Sequence, residues 1–136
     1  MSLWRMARVA GTLGVSLTCW GCGGPTAPSY PQSTENYMGV VNAGEGVAFH
    51  FTVTNPGSID AYISSLAPIS TLAMGLQLGL WTSDTESCSR DLYTEAARVN
   101  LVISGTPQGP GEYCIEIYDV GNVQDTSDFS LVVHHY

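Results

Sequence analysis

Strict alternation of apolar and polar residues limits this chain to a small set of folds. Between residues 47 and 53 every odd position is apolar, so these side chains share one side of an extended strand, which ends at Asn55-Pro56-Gly57. The other runs with this period of two are 59–64, 74–81, 98–104, 113–118 and 129–134. With a first strand near 37–41 and a weak one at 92–94, these runs predict seven or eight strands.

These short strands and uneven turns favour an all-β chain that forms an antiparallel β-sandwich of seven to eight strands. A closed barrel is the alternative that the same alternation allows. Helix signals are limited to single turns at 70–74 and 94–98, which are too short to be stable alone. Function is expected on the outward parity and in the loops, because the inward parity must fill the core. The predicted core includes Phe49, Phe51, Leu76, Leu78, Ile115, Ile117 and Phe129.

A bacterial secretion signal is predicted for residues 1–22. Arg5 and Arg8 give it a positive start, residues 9–17 form a short apolar run, and small residues and cysteines follow. The run is well below the ~20 apolar residues that a helix needs to cross a bilayer, so a permanent membrane span is not expected. Residues 23–34, rich in Pro, Gly, Ser and Thr, are interpreted as an extended tether, which leaves 35–136 as a single domain.

The sequence Cys22-Gly23-Gly24 resembles the start of a mature bacterial lipoprotein, in which the cysteine that closes the leader is acylated. The resemblance implies that Cys22 carries lipid and that the protein is anchored in the outer membrane, in the periplasm or at the cell surface. Cys19 and Trp20 depart from the usual lipobox. Ordinary cleavage, which would give a secreted protein, is the alternative.

The other cysteines indicate an oxidising compartment. If Cys19 leaves with the leader and Cys22 carries lipid, Cys88 and Cys114 are left as one pair, for which we expect a disulfide. Two separately buried thiols are the alternative. A zinc site is disfavoured, because neither cysteine has the short Cys-Cys or Cys-His spacing of such sites.

The balance of charge limits the partners. The chain has 4 Lys+Arg against 12 Asp+Glu, and without Arg5 and Arg8 the remainder keeps 2 basic and 12 acidic residues, a net charge of −10. Such a surface repels phosphate, so nucleic acid is not expected, and membrane contact is expected through the lipid anchor only. The expected partner is an envelope protein, a peptide or a glycan.

The sequence carries no recognised catalytic motif. It lacks the serine nucleophile elbow, the zinc-protease His-Glu-x-x-His and the phosphate-binding loop, and it has no lysine. His50 has outward parity, and His134 and His135 point to opposite faces of a strand. Glu112 and Glu116 lie about 13 Å apart along a strand, beyond the ~5–9.5 Å of an acid–base pair, and are expected to be solvated. We therefore expect no enzyme activity, with an unrecognised hydrolase site as the alternative.

Two sets of residues are candidates for binding. Aromatic rings recognise sugars or extended peptides, although they also cover sheet edges. Oxygen-bearing side chains around Gly121 are of the type that Ca²⁺ prefers, although their spacing is not that of an EF-hand and acidic turns are common between strands. No other cofactor is expected. The aromatic candidates are Tyr62, Trp81, Tyr93 and Tyr118, and the candidate calcium ligands are Asp119, Asn122, Asp125 and Asp128.

One run resembles a known family. Residues 111–119, Gly-Glu-Tyr-Cys-Ile-Glu-Ile-Tyr-Asp, are similar to the penultimate strand of bacterial pre-peptidase C-terminal domains, which typically reads Gly-x-Tyr-x-Val-x-Val-Tyr-Asp. Residues 48–53, 75–81 and 128–134 resemble other strands of these domains, so the likeness covers 35–136. It implies a jelly-roll-like sandwich, exported by bacteria, that assists secretion, folding or substrate contact without chemistry of its own.

Together these observations predict an exported, lipid-anchored, non-catalytic binding or accessory module of the cell envelope. The first alternative is a structural protein whose open sheet edges pair between copies. The second is a carbohydrate-binding module built on the exposed aromatic residues.

Overall fold

The computed structural model describes residues 29–136. The predictions for the leader, for Cys22 and for residues 23–28 of the tether lie outside the described residues. No helix in the described part is long and apolar enough to cross a membrane. The described residues form nine strands: β1 (Ser33–Asn42), β2 (Gly46–Val53), β3 (Ile59–Ala67), β4 (Met74–Thr82), β5 (Ser87–Cys88), β6 (Leu92–Ala97), β7 (Val102–Gly105), β8 (Gly111–Tyr118) and β9 (Thr126–His135).

Two antiparallel sheets pack face to face, which confirms the predicted sandwich. One sheet has the order β1-β9-β3-β7, and the other has the order β2-β8-β4, with β5 and β6 both pairing with β4. If β5 is set aside, the two orders, β1-β9-β3-β7 and β2-β8-β4-β6, are those of a jelly roll. Consecutive strands lie in opposite sheets, except β4 and β6, which pair with each other. The structure has one strand more than the seven or eight predicted. The additional strand, β5, has only two residues, too few to show an alternation in the sequence.

The inward parity fills the space between the sheets as predicted. Six of the seven predicted core residues are buried, and Phe49 is partly buried and packed against the core. Phe49 lies on β2, at the edge of its sheet, where its ring stacks on Tyr37 at 4.5 Å between centroids. The buried six are Phe51, Leu76, Leu78, Ile115, Ile117 and Phe129.

Three boundaries differ from the prediction. Residues 94–97 are not a helical turn but continue β6, because the edge of β4 supplies backbone partners, including Leu76 for Thr94. The predicted strand 98–104 is confined to β7, because Asn100 adopts a left-handed conformation with φ of 67°. β1 begins at Ser33, inside the range assigned to the tether.

Candidate functional site

Three of the four predicted aromatic residues lie on one surface. Trp81 on β4, Tyr93 on β6 and Tyr118 on β8 share the outer side of the five-stranded sheet. We call this surface, formed by these three rings and by His50 and Arg90, which contact them, the aromatic face. Tyr62 lies apart, on β3 of the other sheet.

Two glycines on β4 leave room for groups that cover the outer surface of the sheet. A Cβ at Gly75 would overlap the ring of Tyr118, and a Cβ at Gly79 would overlap the backbone of Ser89. Glycine at these two positions lets the Tyr118 ring and the segment after β5 lie directly on the strand. The outer surface of the five-stranded sheet is therefore already partly covered by its own chain.

The predicted disulfide is confirmed. Cys88 and Cys114 are bonded, with their Cα atoms 5.7 Å apart. Cys114 lies opposite Gly79 in the ladder between β8 and β4, so the bond ties β5 down where the chain crosses that glycine. The disulfide thereby fixes the position of the residues that follow, including Arg90.

Arg90 joins the two tyrosine rings of the aromatic face. Its guanidinium carbon lies 4.3 Å from the ring centroid of Tyr93 and 5.1 Å from that of Tyr118, which is cation–π geometry. Its Nε donates to Gln77 Oε1 at 3.1 Å and its Nη2 donates to the hydroxyl of Tyr118. Glu95 lies 3.5 Å from Nη2. Tyr93 keeps 52% of its surface exposed, so its ring is fixed and still accessible.

Sequence reasoning missed Arg90. It is one of only two arginines beyond residue 22, and that scarcity was the available signal. Its contacts come from β4, β6 and β8, which are distant in sequence, so no local pattern reveals them.

A half-buried acid, Glu116, underlies the arginine. Gln77 Nε2 donates to Glu116 Oε2 at 2.5 Å, which makes a chain of contacts from Glu116 through Gln77 to Arg90. Burial raises the pKa of Glu116, and the Gln77 hydrogen bond and the charge of Arg90 lower it by less. Glu116 was expected to be solvated; it is only partly so, because β4 brings Gln77 against it.

Trp81 forms a second, partly exposed aromatic surface. Its ring stacks on His50, with centroids 5.0 Å apart and an angle of 20° between planes. His50 Nδ1 lies 3.5 Å from Glu112 Oε2, and Thr52 Oγ1 donates to Glu112 Oε1 at 2.5 Å. An aromatic ring with a carboxylate and an imidazole beside it offers both a stacking surface and hydrogen-bonding groups.

The structure uses Asp119 to shape a loop. Its carboxylate accepts backbone N–H bonds of 2.8–2.9 Å from Gly44, Gly121, Asn122 and Val123. Desolvation raises the pKa of Asp119, but the four hydrogen bonds outweigh it and leave the pKa below its usual value. The carboxylate is thus engaged by the backbone on both oxygens.

The other candidate calcium ligands are spread around this loop. Asn122 Nδ2 donates to the carbonyl of Ala73 at 2.9 Å, and Asp128 lies on β9 opposite Val40. Asp125 accepts a backbone bond from Ala43 through its carbonyl. Across residues 29–136 no three His, Cys, Asp or Glu side chains form a group that could hold a metal. Calcium binding stays a prediction.

The two terminal histidines have different surroundings. His134 Nδ1 shares a hydrogen bond of 2.9 Å with Thr34 Oγ1. His135 is buried, and its ring stacks on that of Phe51 with 5.0 Å between centroids. They lie on opposite faces of β9, as the sequence predicts.

No protein-family model matches the chain, and no curated protein matches its sequence. The likeness to pre-peptidase C-terminal domains therefore rests on the strand motifs alone. Chemically, the aromatic face offers three ordered rings flanked by hydrogen-bonding side chains, an arrangement suited to stacking and recognition.

Proposed function

We propose that the chain is a non-catalytic binding module of the bacterial cell envelope, with the aromatic face as its recognition surface. In this proposal residues 1–22 direct export and lipid on Cys22 anchors the module to a membrane, with residues 23–32 as the tether ahead of β1. The Cys88–Cys114 disulfide supports an oxidising compartment.

The observation that carries the proposal is the ordering of Trp81 and Tyr93. Each ring is held by a neighbour, His50 for Trp81 and Arg90 for Tyr93. Rings that are fixed before a ligand arrives lose little conformational entropy on binding, so their apolar area is available for affinity.

The polar groups nearby support binding without catalysis. Glu116 is bonded to Gln77, and Glu112 is bonded to Thr52. Both carboxylates belong to β8 and are engaged by other side chains of the same sheet, so each serves as a fixed hydrogen-bonding group.

A glycan is the ligand class that the aromatic face favours. Sugar rings stack on flat aromatic rings and hydrogen-bond to carboxylates and amides at their rims. Trp81 has the Glu112 carboxylate beside its stacking partner His50, and Tyr93 has the exposed Glu95 carboxylate beside its stacking partner Arg90.

Self-assembly is a second candidate, supported by the other sheet. Met38 and Val40 on β1 are 79% and 46% exposed, and β1 is an edge strand of the four-stranded sheet. Exposed apolar residues on open edges favour pairing between copies.

A glycan and peptide array tests the primary proposal. Wild-type protein is compared with Trp81→Ala and Tyr93→Ala, and Tyr62→Ala on the opposite sheet serves as the matched control. We expect both aromatic-face variants to lose binding and the control to keep it. Equal binding by all four proteins would remove the aromatic face as the recognition surface.

Intact mass of the protein from the membrane fraction tests the envelope assignment. The expected species begins at Cys22 and carries acyl chains. A protein that begins elsewhere and carries no lipid would contradict the anchor.

A further inference from the structure

A cleft opens between the two sheets, apart from the aromatic rings. It has a volume of about 510 Å³ and lies between the end of β7, the loop that follows β7, and Arg90, Asp91 and Leu92. Trp81, Tyr93 and Tyr118 do not line it, although Arg90 contributes to both surfaces. A cleft of this size is typical of a small-ligand site.

The floor of the cleft is apolar. Ile59, Leu78 and Tyr113 line it and belong to the core, while Leu80 forms a wall and is 50% exposed despite its inward parity. The hydroxyl of Tyr113 donates to the carbonyl of Gly109 at 2.9 Å, so this ring is fixed and its polar group is occupied. An aliphatic floor around a buried ring suits an apolar side chain better than a sugar.

The cleft adjoins a free strand edge. β7 is the last strand of the four-stranded sheet and, in the part of the chain that the structure describes, pairs with β3 alone. Ser104 and Gly105, at the end of β7, also line the cleft. The open backbone groups of an edge strand hydrogen-bond to an added extended chain. A chain paired with β7 would place alternate side chains towards the cleft.

The carboxylates beside the cleft favour a basic partner. Asp91 lines the cleft, and Asp60, which accepts a hydrogen bond from Ser104, adds a second carboxylate beside the end of β7. The guanidinium of Arg90 is turned towards Gln77 and the aromatic face. Two copies of a chain with a net charge of −10 beyond residue 22 repel each other, which disfavours pairing between copies here.

We propose that the cleft and the free edge of β7 form a second binding site, which takes an extended segment of a partner protein with alternating apolar and basic residues. The segment adds to β7 as a further strand. One apolar side chain fills the leucine-lined cleft, and a Lys or Arg lies against Asp91. The site shares Arg90 with the aromatic face but none of its rings. Variants of the cleft and variants of the rings therefore test the two proposals separately.

Selection of random dodecapeptides on the purified protein tests this site. The enriched sequences are expected to alternate apolar residues with Lys or Arg, and a synthetic copy of one of them is titrated by fluorescence anisotropy. Leu80→Glu should weaken binding at least about tenfold, because buried apolar anchors dominate such interfaces. Asp91→Asn should weaken peptide binding about two- to fivefold, as expected for an exposed ion pair. This effect of the substitution should become smaller at high salt, because salt screens exposed charges.

Two matched controls locate the effect. Asp84→Asn removes an exposed carboxylate from the turn between β4 and β5, and Met38→Glu adds a charge on β1. Both should bind as the wild type does. Thr106→Trp, which fills the cleft from its exposed rim, should abolish binding and keeps the test valid if Leu80→Glu does not fold.

Amide hydrogen exchange gives an independent result. The bound peptide should slow exchange in β7 and leave β1, the other edge of the same sheet, unchanged. The proposal is overturned by any of the following: no enriched peptide, equal affinity for the wild type and the cleft variants, or protection at β1 instead of β7. A dimer that Leu80→Glu dissolves would also overturn it, since the occupant would then be a second copy.

Discussion

The ring of Tyr118 occupies the space above Gly75, its cross-strand neighbour, where the first carbon of any side chain would overlap it. This contact sets the height at which Arg90 lies over the sheet, because Arg90 bonds to the Tyr118 hydroxyl and stacks on Tyr93. The absence of a side-chain carbon at Gly75 on β4 is thus the first step in ordering the aromatic face.

Gly75→Ala should destabilise the protein and disorder the arginine cluster. The added methyl group forces the Tyr118 ring to move, and overpacking of this kind costs about 1–3 kcal/mol in the free energy of unfolding. Urea denaturation measures the loss. Gly109→Ala is the control, because a Cβ there meets nothing within 4 Å. Equal stability of the two variants would contradict the close packing.

Removal of the disulfide should lower stability and loosen the segment that carries Arg90. The bond joins residues 26 apart in sequence, and loss of such a native disulfide typically costs about 2–5 kcal/mol. Thermal melting of the wild type with and without reductant measures the effect. The variant with both Cys88→Ser and Cys114→Ser should melt near the reduced wild type and ignore reductant. An unchanged midpoint on reduction would contradict this role.

Asp119 should stabilise the fold at neutral pH and lose that effect in acid. Desolvation raises the pKa of Asp119, but the backbone hydrogen bonds outweigh it and leave the folded-state pKa below the unfolded value of about 4. The stabilisation is therefore complete above that value and disappears as the pH falls through the folded-state pKa. The difference in unfolding free energy between wild type and Asp119→Asn should shrink as the pH falls below about 4. A difference that is constant from neutral pH to strong acid would contradict this.

Glu116 should show the opposite dependence. Burial raises the pKa of Glu116 above its unfolded value, so the ionised carboxylate opposes folding once the pH exceeds the folded-state pKa. That penalty is absent below the unfolded-state pKa. Glu116→Gln should therefore gain stability relative to the wild type as the pH rises from about 3 to 7, and urea midpoints across that range measure it. A relative loss over the same range would show that the ionised form is favoured.

Local alternation was sufficient to predict the core. Phe51, Ile115 and Phe129 are buried because neighbouring side chains on a strand point to opposite faces, and this is a property of the sequence alone. The alternation of Leu92–Thr94 ends early, yet β6 continues to Ala97, because the partner strand β4 decides where pairing stops. Pairing between distant segments is not encoded in a local period.

The same limit explains what was missed in the candidate site. Parity placed Tyr62, Trp81 and Tyr118 on outward faces, but it does not show which sheet a strand joins, and β3 carries Tyr62 to the opposite side. Arg90 has no strand parity, because it lies between β5 and β6. The cleft beside β7 exists only once the two sheets are packed, so no single segment predicts it.

Trp81 provides the most direct test of the aromatic face, because it is the one tryptophan beyond residue 22. The indole N–H signal of Trp81 in a ¹⁵N-labelled sample is followed by NMR while the best glycan from the array is added. We predict that this signal and the amides of β4 and β6 shift together and saturate at one affinity, while Tyr62 and its neighbours on β3 do not move. Saturable binding that leaves the Trp81 indole unshifted and moves the four-stranded sheet instead would contradict the account.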